Sequence, residues 1–109
     1  MTDFDSWLMQ TDARRSEIIE FSKVVIVNVD KAIEYSAEMG LMENKADAFV
    51  KVEFAKALRE SRKTYPDATA KEREAYVKAD MAPMEQFVKD LAIIARVLRD
   101  RIYNRNASR

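Results

Sequence analysis

Apolar residues recur at intervals of three and four along most of the chain, which is the pattern of amphipathic α-helices. The first long run extends from about residue 12 to residue 39 and contains the segment KVVIVNV at residues 23–29. This segment is rich in β-branched residues and would favour a strand in isolation. Helical spacing continues on both sides of it, so we predict one helix across residues 12–39, capped by Gly40. Residues 3–9 before it are expected to form only a short helical turn.

A second helix is predicted at about residues 45–63. Asn44 suits its N-terminus, and Pro66 ends the pattern because the residue before a proline disfavours helical geometry. Its apolar positions share one face and comprise Ala46, Phe49, Val50, Phe54, Ala57 and Leu58.

Two further helices are predicted in the last forty residues. Thr69 and Glu72 have the T-x-x-E spacing of a capping box, which opens a helix at about residues 70–80. Pro83 then favours a break and a last helix at about residues 81–105, and the alternative is one long helix kinked at the proline.

The last helix carries the most regular apolar pattern. Its apolar residues alternate spacings of four and three, which is typical of the seam of a coiled coil or antiparallel bundle. The seam comprises Met84, Val88, Leu91, Ala95, Leu98 and Ile102. We therefore expect this helix to pack lengthwise against another helix of its own chain or of a neighbour.

Length and composition predict an all-α protein of one domain, residues 1–109. Apolar residues make up 48% of the 109 residues, and Gly and Pro together number three, which favours long uninterrupted helices. A hairpin of this size cannot cover both its first apolar run and its last seam. We therefore predict a bundle of long antiparallel helices that is completed by homo-oligomerisation. The predicted interface residues are Val25, Val29, Met84, Val88, Leu91, Leu98 and Ile102.

The sequence argues against catalysis. It contains no His and no Cys, which removes the usual general base near neutral pH, thiolate nucleophiles and imidazole or thiolate metal sites. One glycine cannot make a Gly-rich phosphate loop. Acidic pairs such as Glu34 and Glu38 are read as solvated helix faces. We expect no enzyme activity, no metal, no cofactor and no small-molecule substrate.

Targeting signals are also missing from the sequence. The N-terminal MTDFDSWLMQTD is acidic where a signal peptide would be basic, and no apolar run approaches the length of a membrane span. The protein is expected to be soluble and cytoplasmic, in a host cell if phage-encoded, without a membrane partner.

The C-terminal segment LRDRIYNRNASR is basic. Residues 85–109 contain six bases and three acids, and Tyr103 stands between arginines and off the apolar seam. Basic residues with an exposed ring suit single-stranded DNA, although the helix dipole also favours cations in a last helical turn. The predicted DNA-binding residues are Arg96, Arg99, Arg101, Tyr103, Arg105 and Arg109. Arg59, Arg62 and Lys63 would join them if the end of the second helix lies beside the C-terminus.

Two stretches carry a family resemblance. TAKEREAYVKAD at residues 69–80, followed by a long helix ending in LRDRIYNR, resembles small phage proteins of the UvsY-like recombination-mediator type. The likeness covers about residues 58–105 and does not extend to the first forty residues. It implies an oligomeric helical protein that binds single-stranded DNA and helps to load a recombinase. The residues that it implies are Arg99, Arg101, Tyr103 and Arg105, with the capping box at Thr69 and Glu72.

We therefore predict a non-enzymatic accessory protein of nucleic-acid metabolism that binds single-stranded DNA and itself. The main alternative is a small protein-binding module or phage-type inhibitor that docks on a protein partner through its acidic N-terminus. A helix-turn-helix regulator is a third reading, but the nearly neutral helix at residues 70–80 suits a major groove poorly.

Overall fold

Three α-helices account for most of the part that the computed structural model describes, which is residues 2–24 and 28–107, with side chains to residue 104. They are α1 (Asp3–Ser22), α2 (Val29–Thr64) and α3 (Ala70–Ala107). No strand occurs in these described ranges, so the predicted all-α class is confirmed. α2 and α3 pair side by side as a long antiparallel hairpin, and α1 packs on one face of the half that holds the start of α2 and the end of α3. The molecule measures 63 × 27 × 17 Å.

α1 begins nine residues before the predicted helix start near residue 12. Thr2 and Asp5 form a reciprocal capping box, in which the Asp5 backbone N–H donates to Thr2 Oγ1 over 3.1 Å. This box satisfies N–H groups that the first helical turn leaves without partners. The predicted short turn at residues 3–9 is therefore wrong, because those residues are the first two turns of α1.

The prediction of one helix across residues 23–29 is also wrong where the structure describes that segment. Lys23 is the C-cap of α1, and Val24 and Asn28 lie outside the helices. The side chain of Asn28 accepts a hydrogen bond from the Lys31 backbone N–H over 3.0 Å, so it starts a new helix. Residues 25–27, including the predicted interface residue Val25, lie outside the described residues.

α2 then runs without a break through the predicted end at Gly40 and the predicted start at Asn44. Gly40 does not adopt the positive φ of a left-handed cap. The physical reason is packing, because Met39, Ala46 and Val50 are buried on one continuous face of α2. A helix with tertiary support on both sides of a glycine tolerates its low helix propensity.

Replacing Gly40 by Ala is expected to stabilise the protein. An added Cβ would meet no atom within 4 Å, and the backbone is already helical. Alanine loses less conformational entropy on folding, so the free energy of unfolding should rise by about 0.5–1 kcal/mol. Chemical denaturation measures this change. Ala37→Gly, one turn earlier on the same side of α2, is the matched reverse control and should destabilise by a similar amount.

α3 begins where the capping box predicts but does not break at Pro83. Thr69 Oγ1 accepts a hydrogen bond from the Glu72 backbone N–H over 3.1 Å. The helix continues through Pro83, so the predicted separate helices at residues 70–80 and 81–105 are one element. Pro83 is exposed and costs one backbone hydrogen bond, while Met81 beside it is buried and holds the helix against α2.

Two apolar clusters make the core. The first joins all three helices through Phe4, Ile18, Ala32, Tyr35, Met39, Ala46, Leu91, Ala95 and Leu98. The second joins only α2 and α3, through Val50, Val77 and Met81. Leu91 and Leu98 of the predicted oligomer seam are thus buried inside their own chain, and Met84, Val88 and Ile102 pack partly against the same clusters. Val29, at the first position of α2, is half-buried.

Candidate nucleic-acid interface

Arg101 is engaged inside the molecule. Its guanidinium donates to the backbone carbonyl oxygen of Ser22, and to that of Val24 over 3.1 Å. These oxygens lie at the C-terminal end of α1, where carbonyl groups lack helical partners and the helix dipole is negative. Arg101 therefore ties the end of α1 to α3, and the donors that bind these carbonyl oxygens are not free for a phosphate.

Arg99 and Tyr103 point away from α1. Each is two residues from Arg101 along a helix, which turns its side chain by about 160° from that of Arg101. Both line an open groove of about 520 Å³ between α2 and α3, to which Ile33 and Gly40 also contribute. Tyr103 is 74% exposed, the most exposed of the large apolar or aromatic side chains described.

Lys89, Arg96, Arg99 and Tyr103 form one row along this outer side of α3, here called the basic row. All four side chains are exposed. Their spacings of seven, three and four residues keep them on one side of a helix, over about 21 Å. Lys89 is not among the predicted DNA-binding residues, although the seven-residue spacings from Lys89 to Arg96 and from Arg96 to Tyr103 are readable in the sequence.

The cations of the basic row have no ion-pair partner in the described part of the chain. None of them joins the ion pairs found there, which instead involve Arg14, Arg15, Lys23, Lys51, Lys56 and Lys78. Three positive charges without a paired acid make this the side of α3 that would attract an anionic polymer.

The opposite face of the hairpin is neutralised by α1. Arg14 binds Glu38 with two hydrogen bonds of 2.7 and 2.9 Å, and these bonds raise the pKa of the guanidinium. The Tyr35 hydroxyl donates to Glu17 over 2.6 Å. This hydrogen bond lowers the pKa of the Glu17 carboxyl and raises the pKa of the Tyr35 phenol. These contacts hold α1 against α2. The charged groups between the two helices are therefore paired with each other.

The two predicted basic segments lie at opposite ends of the molecule. Arg59, Arg62 and Lys63 belong to the last turns of α2, beside the turn that leads into α3. The antiparallel hairpin places that turn about 50 Å from the C-terminal end of α3. The condition for a single basic patch is therefore not met. The side chain of Arg105, and Arg109 altogether, lie outside the described residues.

The remaining findings add no further site. Among the residues that the structure describes, no group of three or more Asp, Glu, His or Cys side chains is placed to hold a metal ion. In the same residues, no helix has the length and apolar character needed to cross a membrane. Comparison of the chain with family models, curated proteins and solved structures found no match. The resemblance to UvsY-like mediators therefore stays a prediction.

Proposed function

We propose that this chain is a non-enzymatic accessory protein of nucleic-acid metabolism that binds single-stranded DNA along the basic row. The observation that carries the proposal is the alignment of Lys89, Arg96 and Arg99 with the exposed ring of Tyr103 on one side of α3. Cations along a groove follow a phosphate backbone, and an exposed ring provides a stacking platform for a base.

The geometry suits a single strand better than a duplex. An aromatic ring on a helix surface can stack on a base only if that base is unpaired and turned outward. The groove beside Tyr103, about 520 Å³ and partly lined by Ile33 and Ile102, leaves space for such a base. Phosphate contacts and stacking read no base edge, so we expect little sequence preference.

The alternatives differ in what they need from the structure. A helix-turn-helix motif crosses two helices steeply, whereas α2 and α3 lie antiparallel along their length, an arrangement that does not suit a helix-turn-helix regulator. A purely protein-binding module that uses the acidic N-terminus remains the second candidate. It is favoured by Asp3, which is exposed in the first turn of α1. A purely protein-binding module is expected to have no affinity for DNA, even at low salt.

The test compares wild type with Arg96→Gln/Arg99→Gln on a fluorescent single-stranded oligonucleotide at several salt concentrations. Loss of two phosphate contacts should weaken binding and reduce the slope of log affinity against log salt by about 1.4. Tyr103→Ala should weaken binding about 5- to 150-fold without changing the slope, because stacking is worth about 1–3 kcal/mol.

Arg59→Gln/Lys63→Gln is the matched control, since it removes the same charge from exposed positions at the far end of the hairpin. It should leave the salt slope as in wild type. The proposal is overturned if wild type does not bind at ~50 mM salt, where phosphate contacts are strong. An equal change of slope in the control would also overturn the basic row as the site.

A further inference from the structure

Half of the hairpin has no third helix against it. α1 reaches only as far as Phe49 and Phe87, where Phe4 meets both rings at 5.6 and 6.2 Å between centroids. Beyond them, residues 50–86 form a two-helix segment, here called the distal half. Its buried residues come from α2 and α3 alone.

An open groove of about 510 Å³ with an apolar floor and a charged rim starts at Asp47 and Val88 and extends into the distal half; it is here called the distal groove. Val50, Phe54 and Val88 form the floor, and Asp47, Lys51 and Lys78 are on the rim. Phe54 is only partly buried although it is a large aromatic side chain packed against the distal cluster. An aromatic floor with a rim of both signs is typical of the centre of a protein interface.

The solvent-accessible surface of this chain is larger than that of a compact monomer of the same mass. It exposes 7503 Å² at 12.6 kDa, whereas a compact monomer of that mass exposes about 6,200 Å². Its radius of gyration is 17.9 Å, against about 13 Å for a compact chain of this length. The excess of about 1,300 Å² exceeds the ~800 Å² that each partner buries in a standard interface.

The charges around the distal groove of one copy are complementary to those of a second copy in an antiparallel arrangement. Along α2, Asp47 lies seven residues before Phe54 and Arg62 lies eight residues after it. A two-fold axis that passes near Phe54 makes the α2 helices of the two copies antiparallel. Asp47 of each copy then lies opposite Arg62 of the other copy, so the pair occurs at two symmetry-related positions. Both residues lie on the groove side of α2, within about 60° of each other around the helix.

We propose that a second copy of this chain occupies the distal groove, in an antiparallel dimer with Phe54 near the two-fold axis. Each Phe54 packs against the other copy's apolar floor, and each Asp47 pairs with Arg62 of the partner subunit. The distal halves of the two copies then form a layer of four helices. In each copy, the cluster of Val50, Val77 and Met81 becomes enclosed by the helices of the other copy. Lys89 of the basic row also lines the distal groove and is covered in such a dimer, whereas Arg99 and Tyr103 line the separate groove towards the other end of the hairpin.

The first test is sedimentation of the full chain without nucleic acid. Wild type should be a dimer at tens of micromolar, and Phe54→Asp should raise the dissociation constant by about 30-fold or more, as for a central interface residue. Val52→Asp is the matched control, because Val52 is an exposed apolar residue of the same helix that does not line the groove. It should remain dimeric. Circular dichroism should show that both variants keep their helices.

A charge exchange tests the two-fold arrangement itself. Asp47→Arg alone and Arg62→Asp alone each place like charges opposite each other and should weaken the dimer about 10-fold. The double variant Asp47→Arg/Arg62→Asp restores opposite charges across the axis and should recover the wild-type dissociation constant. A monomeric wild type would overturn the proposal and leave the groove to a different protein. Equal weakening by Val52→Asp, or a double variant weaker than either single one, would also overturn it.

Discussion

Leu91→Asp is expected to unfold the protein. Leu91 is 2% exposed and belongs to the cluster that joins all three helices. A carboxylate there would be buried without a partner, which costs several kcal/mol out of a total stability of about 5–15 kcal/mol. Circular dichroism at 25 °C should show a large loss of helix. Leu91→Ala, which only leaves a cavity, should remain folded with stability lower by about 2–5 kcal/mol.

Ile93→Asp is the control for this result, because Ile93 is a large apolar residue two positions away that is exposed. A surface change of this kind should alter stability by no more than about 0.5 kcal/mol. If Leu91→Asp instead gave a well-folded helical monomer, Leu91 would be part of an interface between copies, and the intrachain packing of α3 against α2 would be wrong.

Phe4→Ala is expected to release the N-terminal part of α1 while the hairpin stays folded. Phe4 is 7% exposed and contacts the rings of Trp7, Phe49 and Phe87. Losing a buried phenylalanine costs about 3–5 kcal/mol. α1 is held by this aromatic cluster near its start and by the buried Ile18 and polar contacts further along, so a loss of that size should open only its N-terminal part.

Trp7 reports this opening, because it is the only tryptophan and contacts the same rings, that of Phe49 in a tilted and that of Phe87 in an edge-on geometry. Its fluorescence should shift to the red in Phe4→Ala, while most of the helical signal remains. Met9→Ala, on the exposed side of α1, is the control and should leave the emission of Trp7 unchanged. An unchanged Trp7 spectrum in Phe4→Ala would contradict the aromatic anchor.

Some helix ends were readable in the sequence and others were not. The capping box of Thr69 and Glu72 involves residues one turn apart, so their spacing alone predicts where α3 starts. Gly40 and Pro83 also have strong local preferences, and there the predictions were wrong. Both residues lie in helices with buried faces on either side of them, and that packing outweighs a local cost of about 1–3 kcal/mol.

The position of the candidate site was less predictable. The sequence placed Arg99, Arg101 and Tyr103 on the last helix, but it did not show which of them face another helix. The structure shows that Arg101 faces the end of α1, while Arg99 and Tyr103 face the open groove. Arg62 is separated from them only because the hairpin runs antiparallel.

The sequence by itself determined that the chain is all helical, because three-and-four spacing and the scarcity of glycine and proline act within a few residues. Only the tertiary structure decided that Leu91 and Leu98 pack within one chain, that α1 covers half of the hairpin, and that the distal half stays open. An apolar helix face favours burial against any complementary face. Which face it meets depends on the lengths and docking of all three helices together.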